Sequence, residues 1–263
     1  MLEFPDPASR RRPPPAWLVT DPQDYEEYDL GPLKTGKEAE VFLVERVASD
    51  GSTCVLAHKR YRPRRVTNKG ELEALGFQRA NTFMNDHVYR DGRRFAKSRD
   101  QRAAETMTNY GRELLTKRWP GHEFDVMTRL WSAGVRVPYP VASTEDGVLM
   151  EYIGDASGAA PRLAQARLDQ ADAATAAEQL RADLHRMVAE GFVHGDLSAY
   201  NLLWWRGELV IIDLPQSVDI TVSPHAIDFL HRDLRNVGEW FARRGIVFDP
   251  DVELVELLSS AFG

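Results

Sequence analysis

The 263-residue chain has one cysteine, Cys54, and no apolar run that approaches the roughly 18 residues of a membrane-spanning helix. A single cysteine excludes an internal disulfide framework and is compatible with a reducing compartment. Residues 1–17 carry acidic residues and prolines but no apolar stretch of signal-peptide length. These absences predict a globular, cytoplasmic protein that makes no use of a membrane.

Basic residues are also fewer than acidic ones. The chain has 33 Lys and Arg and 40 Asp and Glu, which gives a net charge of −7. The deficit hides one basic block, residues 58–118, which holds 16 Lys and Arg against 7 Asp and Glu. Such a block indicates either a face that binds phosphate or nucleic acid, or a solvated helix surface. Composition alone favours the solvated surface.

The N-terminal half divides into an arm and a strand-rich segment. Residues 1–24 are rich in Pro, Arg and Asp, which predicts a flexible arm. Residues 25–152 contain apolar runs at 41–44 and 54–57 joined by an Asp-Gly turn, which predicts a β-hairpin. Helical spacing follows at 124–131.

The C-terminal half, residues 153–263, is mainly helical by its periodicity. An Ala-rich helix is predicted at 171–190, and an Arg-Gly turn at 206–207 joins two short apolar runs. Strands, then a hinge, then helices with a small hairpin are typical of a two-lobed kinase. We therefore predict an α+β protein with an N-lobe at 25–152, a C-lobe at 153–263 and a cleft between them.

The strongest chemical signal is the motif H-G-D-L-S-A-Y-N at residues 194–201, followed by Asp213 at the end of an apolar run. Phosphoryl transfer needs a carboxylate that orients the attacking hydroxyl, and oxygen ligands for the Mg²⁺ that bridges the phosphates. Asp196 is predicted to be this catalytic base. Asn201 and Asp213 are predicted to bind Mg²⁺, or Mn²⁺ in its place, from neighbouring ends of one hairpin. The alternative is that Asp196 and Asn201 only cap turns.

The nucleotide side is indicated by a glycine-containing loop and a lysine. The loop G-P-L-K-T-G-K-E at 31–38 imitates a Walker A motif, but it ends in Glu38 and is followed by a strand, where that motif requires a hydroxyl and a helix. Lys59, at the end of the second strand, is expected to hold the α- and β-phosphates of ATP. Glu123 is predicted to be its carboxylate partner, and Glu113 competes for that role.

Separated motifs carry a resemblance to a known family. They lie at residues 35–41, 119–124, 133–138, 150–154, 194–201, 211–218 and 225–237. On these motifs the chain, from about Leu30 to Gly238, resembles the RIO family of atypical protein kinases, in its type-one branch. The resemblance implies a trimmed kinase fold without the usual activation loop and peptide-binding helices. It also implies that Asp213 is catalytic.

The same resemblance implies further nucleotide-binding residues. Those expected to cover the phosphates are Thr35, Gly36, Lys37 and Glu38. Those expected around the adenine and in the remaining nucleotide site are Met150, Glu151, Ile153 and Ser198. Family members autophosphorylate on serine, and some act more as ATPases in the maturation of the small ribosomal subunit. The expected partners are therefore ATP, a protein substrate and, through the basic block, a ribosomal particle or rRNA.

Other functions stay open at this point. Small-molecule kinases of the aminoglycoside phosphotransferase type also use the loop at 194–201, although the segments 35–41 and 229–237 do not favour that class. A ribosome-assembly factor whose ATP turnover switches binding is a third hypothesis. One departure from the family pattern is His58, which stands before Lys59 where an apolar residue is expected.

Overall fold

The computed structural model describes residues 13–21, 23–36, 39–62 and 119–262. The N-terminal part contains one five-stranded antiparallel sheet in the order β1-β2-β3-β5-β4. Its strands are β1 (Tyr25–Thr35), β2 (Ala39–Ala48), β3 (Thr53–Tyr61), β4 (Pro140–Ser143) and β5 (Gly147–Glu151). Helix α1 (Trp119–Ser132) precedes β4 and packs against β4 and β5.

The predicted hairpin is confirmed as β2 and β3, which pair with Val44 opposite Leu56. Its turn is closed at Gly51, whose φ of 83° is a left-handed conformation that glycine adopts without a steric penalty. Because successive strand side chains point to opposite faces, Ala57 and Lys59 face the cleft while His58 lies on the other side. There the His58 Nε2 atom is 3.0 Å from Thr144 Oγ1.

The outer face of the sheet holds a small apolar cluster. Its fully buried members are Val44, Cys54, Leu56 and Leu149. Leu18 and Val19 pack against this cluster, and the Arg46 guanidinium donates to the Val19 carbonyl at 3.0 Å. Part of the segment that composition predicts to be a flexible arm is therefore anchored, because its two apolar residues cover sheet surface.

The C-terminal part is built from three helices and short strand pairs. The helices are α2 (Gln170–Ala189), α3 (Ala226–Ala242) and α4 (Pro250–Phe262). The strands are β6 (Gly154–Asp155), β7 (Gly158–Ala159), β8 (Phe192–Val193), β9 (Leu202–Trp205), β10 (Glu208–Ile211) and β11 (Val218–Asp219). Pairing is antiparallel between β6 and β7, β9 and β10, and β8 and β11. The predicted α+β class is confirmed.

Helix α2 shows why this part folds as its periodicity predicts. Asp169 caps its N-terminus, since the carboxylate accepts the Asp172 N–H at 2.8 Å. Gly191, at φ 81°, ends the segment. The buried face of α2, with Leu180 and Leu184, belongs to the main core, which also receives residues from α1, α3 and α4. Helix α1 is thereby fixed between the sheet and the C-terminal helices.

None of the helices within residues 119–262 is long and apolar enough to cross a membrane.

Candidate active site

A cleft of about 810 Å³ lies between the sheet and the C-terminal part. Its lining residues include Leu33, Val41, Ala57, Met150, Glu151, Ile153 and Leu203. Three of these, Met150, Glu151 and Ile153, are the residues expected near the adenine, and the chain there leaves the sheet towards the C-terminal part. The cleft is apolar at this end and carries charged side chains at the other, which suits a nucleotide.

Lys59 lies at the charged end of the cleft between two carboxylates. Its Nζ atom is 2.7 Å from Glu123 Oε1 and 2.7 Å from Asp213 Oδ1. Lys59 is 8% exposed and Glu123 1% exposed. Burial opposes the charge on Lys59, but the two carboxylates outweigh it and raise its pKa well above the ordinary value. The ammonium is therefore permanently charged and fixed in position, as a phosphate-binding lysine must be.

Glu123 is held on all sides by donors. Its Oε1 atom accepts the Leu214 N–H at 3.1 Å besides the Lys59 ammonium, and its Oε2 atom accepts the Tyr61 hydroxyl. Burial, together with the charge of Glu123, raises the pKa of Tyr61 well above its ordinary value, so Tyr61 remains a donor. Tyr61 is not among the site residues predicted from the sequence. The available signal was its position two residues after Lys59, which places both side chains on one face of β3.

Asn201 and Asp213 lie side by side at the open end of the β9–β10 hairpin. The Ile212 N–H donates to the Asn201 carbonyl at 3.0 Å. Asp213 has a φ of 70°, a left-handed conformation that aspartate tolerates better than most residues. The Asp213 side chain is 45% exposed, and the charge of Lys59 lowers its pKa, so its carboxylate is ionised. The structure thus places the two residues at neighbouring ends of the hairpin, as predicted.

These two residues fit a Mg²⁺ ion that is also bound by phosphates. The Asn201 amide nitrogen donates to the Asp196 carbonyl at 2.8 Å, which leaves the amide oxygen as the atom to offer a cation. Among residues 13–62 and 119–262, as far as they are described, no three His, Cys, Asp or Glu side chains form a metal cage. Mg²⁺ in nucleotide sites needs none, because one or two protein oxygens and the phosphates suffice.

Hydrogen bonds to α3 hold the loop that carries Asp196 in place. Asp233 is 1% exposed, and its carboxylate accepts the N–H groups of Gly195 at 2.7 Å and Leu197 at 3.0 Å. His194 donates from Nε2 to the Ile212 carbonyl at 3.1 Å and accepts the Asp196 N–H at Nδ1, 3.2 Å away. Burial lowers the pKa of His194, which keeps this neutral tautomer. Asp233 lies within the motif 229–237, and its role is not apparent from that motif alone.

Other predicted site residues are placed less centrally. Asp196, Ser198 and Asn201 are not among the residues that line the cleft, and Asp196 is exposed beside it. Thr35 is exposed at the end of β1, whereas Gly36 lines the cleft and donates its N–H to the Ala39 carbonyl at 2.9 Å. Lys37 and Glu38 lie outside the described residues, as does Glu113.

The basic block is described only at its start, residues 58–62. Arg62 pairs with Glu40 at 2.6 Å, and the Arg60 guanidinium lies 4.4 Å from the centre of the Phe42 ring. These two arginines therefore contact the sheet itself. The remainder of the block, residues 63–118, lies outside the described residues.

We expect Tyr61→Phe to destabilise the fold by about 2 kcal/mol, because a buried carboxylate oxygen loses a hydroxyl donor. Mg²⁺-ATP affinity should fall as well, since Glu123 is then less firmly held against Lys59. The measurements are chemical denaturation and a nucleotide titration. Tyr28→Phe is the matched control, because Tyr28 also donates to a glutamate, Glu26, but is 48% exposed. Equal behaviour of the two variants would contradict the assigned role.

Asp233→Asn should gain stability relative to the wild type as the pH rises from about 4 to about 7. Burial raises the pKa of Asp233 from 3.8 to about 7, against the opposing effects of Arg232 and the two loop N–H groups. Between these values the folded chain holds a proton that the unfolded chain releases. Stability from this group is therefore complete below pH 3.8 and is lost as the pH approaches 7.

Urea denaturation at several pH values would measure this difference. Asp228→Asn on the same helix is the control for the loss of a carboxylate. The Asp228 side chain is 83% exposed, so its substitution should change stability much less than Asp233→Asn does. A pH-independent difference between Asp233→Asn and the wild type would show that the buried carboxylate is ionised throughout.

Comparison with known proteins places these features in a family. The RIO domain family matches residues 77–254, more than half of the chain. A protein of Haloferax volcanii named RIO-type serine/threonine-protein kinase Rio1 is 36% identical over 84% of this chain and 66% of its own length. A protein of Thermoplasma acidophilum with the same name is 35% identical over 64% of this chain and 83% of its own.

A probable serine/threonine-protein kinase RIO1 homolog of Encephalitozoon cuniculi is 30% identical over 87% of this chain. The chain spans 57% of that relative's length. The domain match includes Glu123, the loop at 194–201 and Asp213, while Lys59 precedes it. With its antiparallel sheet, its cleft and its few C-terminal helices, the chain has a trimmed two-lobed kinase-like fold and belongs to the RIO family of serine/threonine-protein kinases.

Proposed function

We propose that the chain is an ATP- and Mg²⁺-dependent protein kinase that transfers phosphate to serine or threonine, including its own. The observation that carries the proposal is the position of Lys59 in the cleft, 2.7 Å from both Glu123 and Asp213. A permanently charged lysine beside an ionised aspartate provides both a phosphate-binding cation and a ligand for a divalent metal. The relatives from Haloferax volcanii and Thermoplasma acidophilum are named serine/threonine-protein kinases, which supports the same class of activity.

ATP binding follows from the lining of the cleft. The adenine lies between apolar side chains near Met150 and Ile153 and takes hydrogen bonds from the backbone there. The phosphates lie against Lys59, which shifts its contact from Asp213 to phosphate oxygens while Glu123 holds it from the other side. By the family resemblance the loop at 35–38 would cover the phosphates, and Gly36 of this loop lines the cleft.

The metal site consists of Asn201 and Asp213. When bound there, Mg²⁺ neutralises charge that develops on the phosphate oxygens. Asn201 is held by its bond to the Asp196 carbonyl, so the metal site and the base belong to one hydrogen-bonded unit.

Asp196 acts on the acceptor. The acceptor hydroxyl oxygen attacks the γ-phosphorus, the bond from phosphorus to the ADP oxygen breaks, and the hydroxyl proton passes to the Asp196 carboxylate. Asp233 and His194 accept backbone N–H groups of the loop and so hold the segment that carries Asp196.

We propose, as an extension, that the kinase acts in the maturation of the small ribosomal subunit. This extension rests on the resemblance and on the basic block, residues 58–118. Arg60 and Arg62, near the start of the block, contact Phe42 and Glu40 of the sheet. We therefore assign the contacts with rRNA to the basic residues after Arg62. The aminoglycoside-kinase alternative has no support from the relatives.

Asp196→Ala should lower phosphate transfer from labelled ATP by roughly 10²–10⁴-fold, the usual contribution of a positioned general base. ATP affinity should stay near that of the wild type, because other residues hold the phosphates. Asp228→Ala, an exposed carboxylate lost from α3, is the control for charge. Transfer at the wild-type rate by Asp196→Ala would remove Asp196 from the mechanism.

A further inference from the structure

Two cations, Lys34 and Arg162, line the cleft and have no part in the mechanism above. Lys34 is exposed near the end of β1, and Arg162 is half-buried in the segment before α2. They approach the cleft from different sides, one from the sheet and one from the C-terminal part.

Neither cation has a carboxylate within ion-pair distance among the residues that the structure describes. This contrasts with Lys59, which has two. Partial burial and the charge of Arg162 lower the pKa of Lys34, while Asp213 acts in the opposite direction. The two cations therefore repel each other across the cleft, and an anion between them would relieve that repulsion.

Arg162 is rigidly joined to the loop that presents Asp196. In the segment it belongs to, the Leu163 N–H donates to the Leu202 carbonyl at 2.7 Å and the Ala164 N–H donates to the Ala199 carbonyl at 2.8 Å. Tyr200, 58% exposed, also lines the cleft next to this segment. The part of the cleft wall that Tyr200 and Arg162 form is thus hydrogen-bonded to the loop that carries Asp196.

We propose that Lys34 and Arg162 form an acceptor subsite that binds an acidic side chain close in sequence to the phosphorylated hydroxyl. The inference rests on the proposed kinase function and adds to it a substrate class, acidic segments. An exposed lysine and a half-buried arginine are screened by water, which suits selection among transient substrates. Tight binding of a cofactor phosphate uses a buried cation such as Lys59.

The test uses synthetic peptides with one serine flanked by Asp and Glu, by Gln, or by Lys and Arg. The wild type should phosphorylate the acidic peptide with the highest kcat/KM, and the preference should shrink as KCl is raised. Lys34→Ala and Arg162→Gln should each reduce the preference by roughly fivefold at most, the size of an exposed ion pair. Arg162→Glu should favour the basic peptide.

Arg243→Glu is the matched control, because the Arg243 side chain is 72% exposed at the C-cap of α3, where its partner among the described residues is Glu239. It should leave the peptide preference unchanged. Equal use of all three peptides by a wild type that transfers phosphate would overturn the acceptor subsite and leave the kinase function intact. A raised KM for ATP with an unchanged preference in Arg162→Glu would overturn it too, in favour of a nucleotide contact. Failure to phosphorylate any peptide or the chain itself would overturn both proposals.

Discussion

A buried lysine held by two carboxylates from different parts of the chain is the interaction on which the site depends. Glu123 belongs to α1, Asp213 follows β10, and Lys59 belongs to β3, so their contacts join the sheet to the C-terminal part. Removing one partner of a buried pair usually costs about 3–5 kcal/mol, because the other charge is left uncompensated. Tyr61 and the Leu214 N–H complete the shell around Glu123 and keep the carboxylate from relaxing towards water.

The loop at 194–201 is also held by a buried carboxylate from a distant part of the chain. A loop cannot satisfy its own N–H groups when it is buried, so the Asp233 carboxylate on α3 accepts two of them. The loop then holds Asn201 through the Asp196 carbonyl. The proposed base, metal ligands and phosphate-binding lysine are consequently supported by packed helices and strands, as a site that orients reactants requires. The acidic-acceptor subsite adds exposed charge at the edge of this rigid frame.

Local patterns predicted the parts of the fold that depend on neighbouring residues. The β2–β3 hairpin, the helix at 170–189 and the adjacency of Asn201 and Asp213 all follow from turns, caps and periodicity. The partners of Tyr61 and Asp233 could not be assigned in this way. The partner of Tyr61 lies 62 residues away, those of Asp233 lie 38 and 36 residues away, and helix packing brings them near. The position of Arg162 in the cleft could not be predicted for the same reason. It depends on the hydrogen bonds that join its segment to the loop that carries Asp196.

Mg²⁺-ATP affinity in a double-mutant cycle tests the central claim most directly. The four proteins are the wild type, Lys59→Met, Glu123→Gln and the variant with both substitutions. If Lys59 binds phosphate only while Glu123 holds it, the two losses should not add, and the coupling free energy should lie at about 1–3 kcal/mol. Additive losses within about 0.5 kcal/mol would contradict the account, because the two residues would then act on the nucleotide independently.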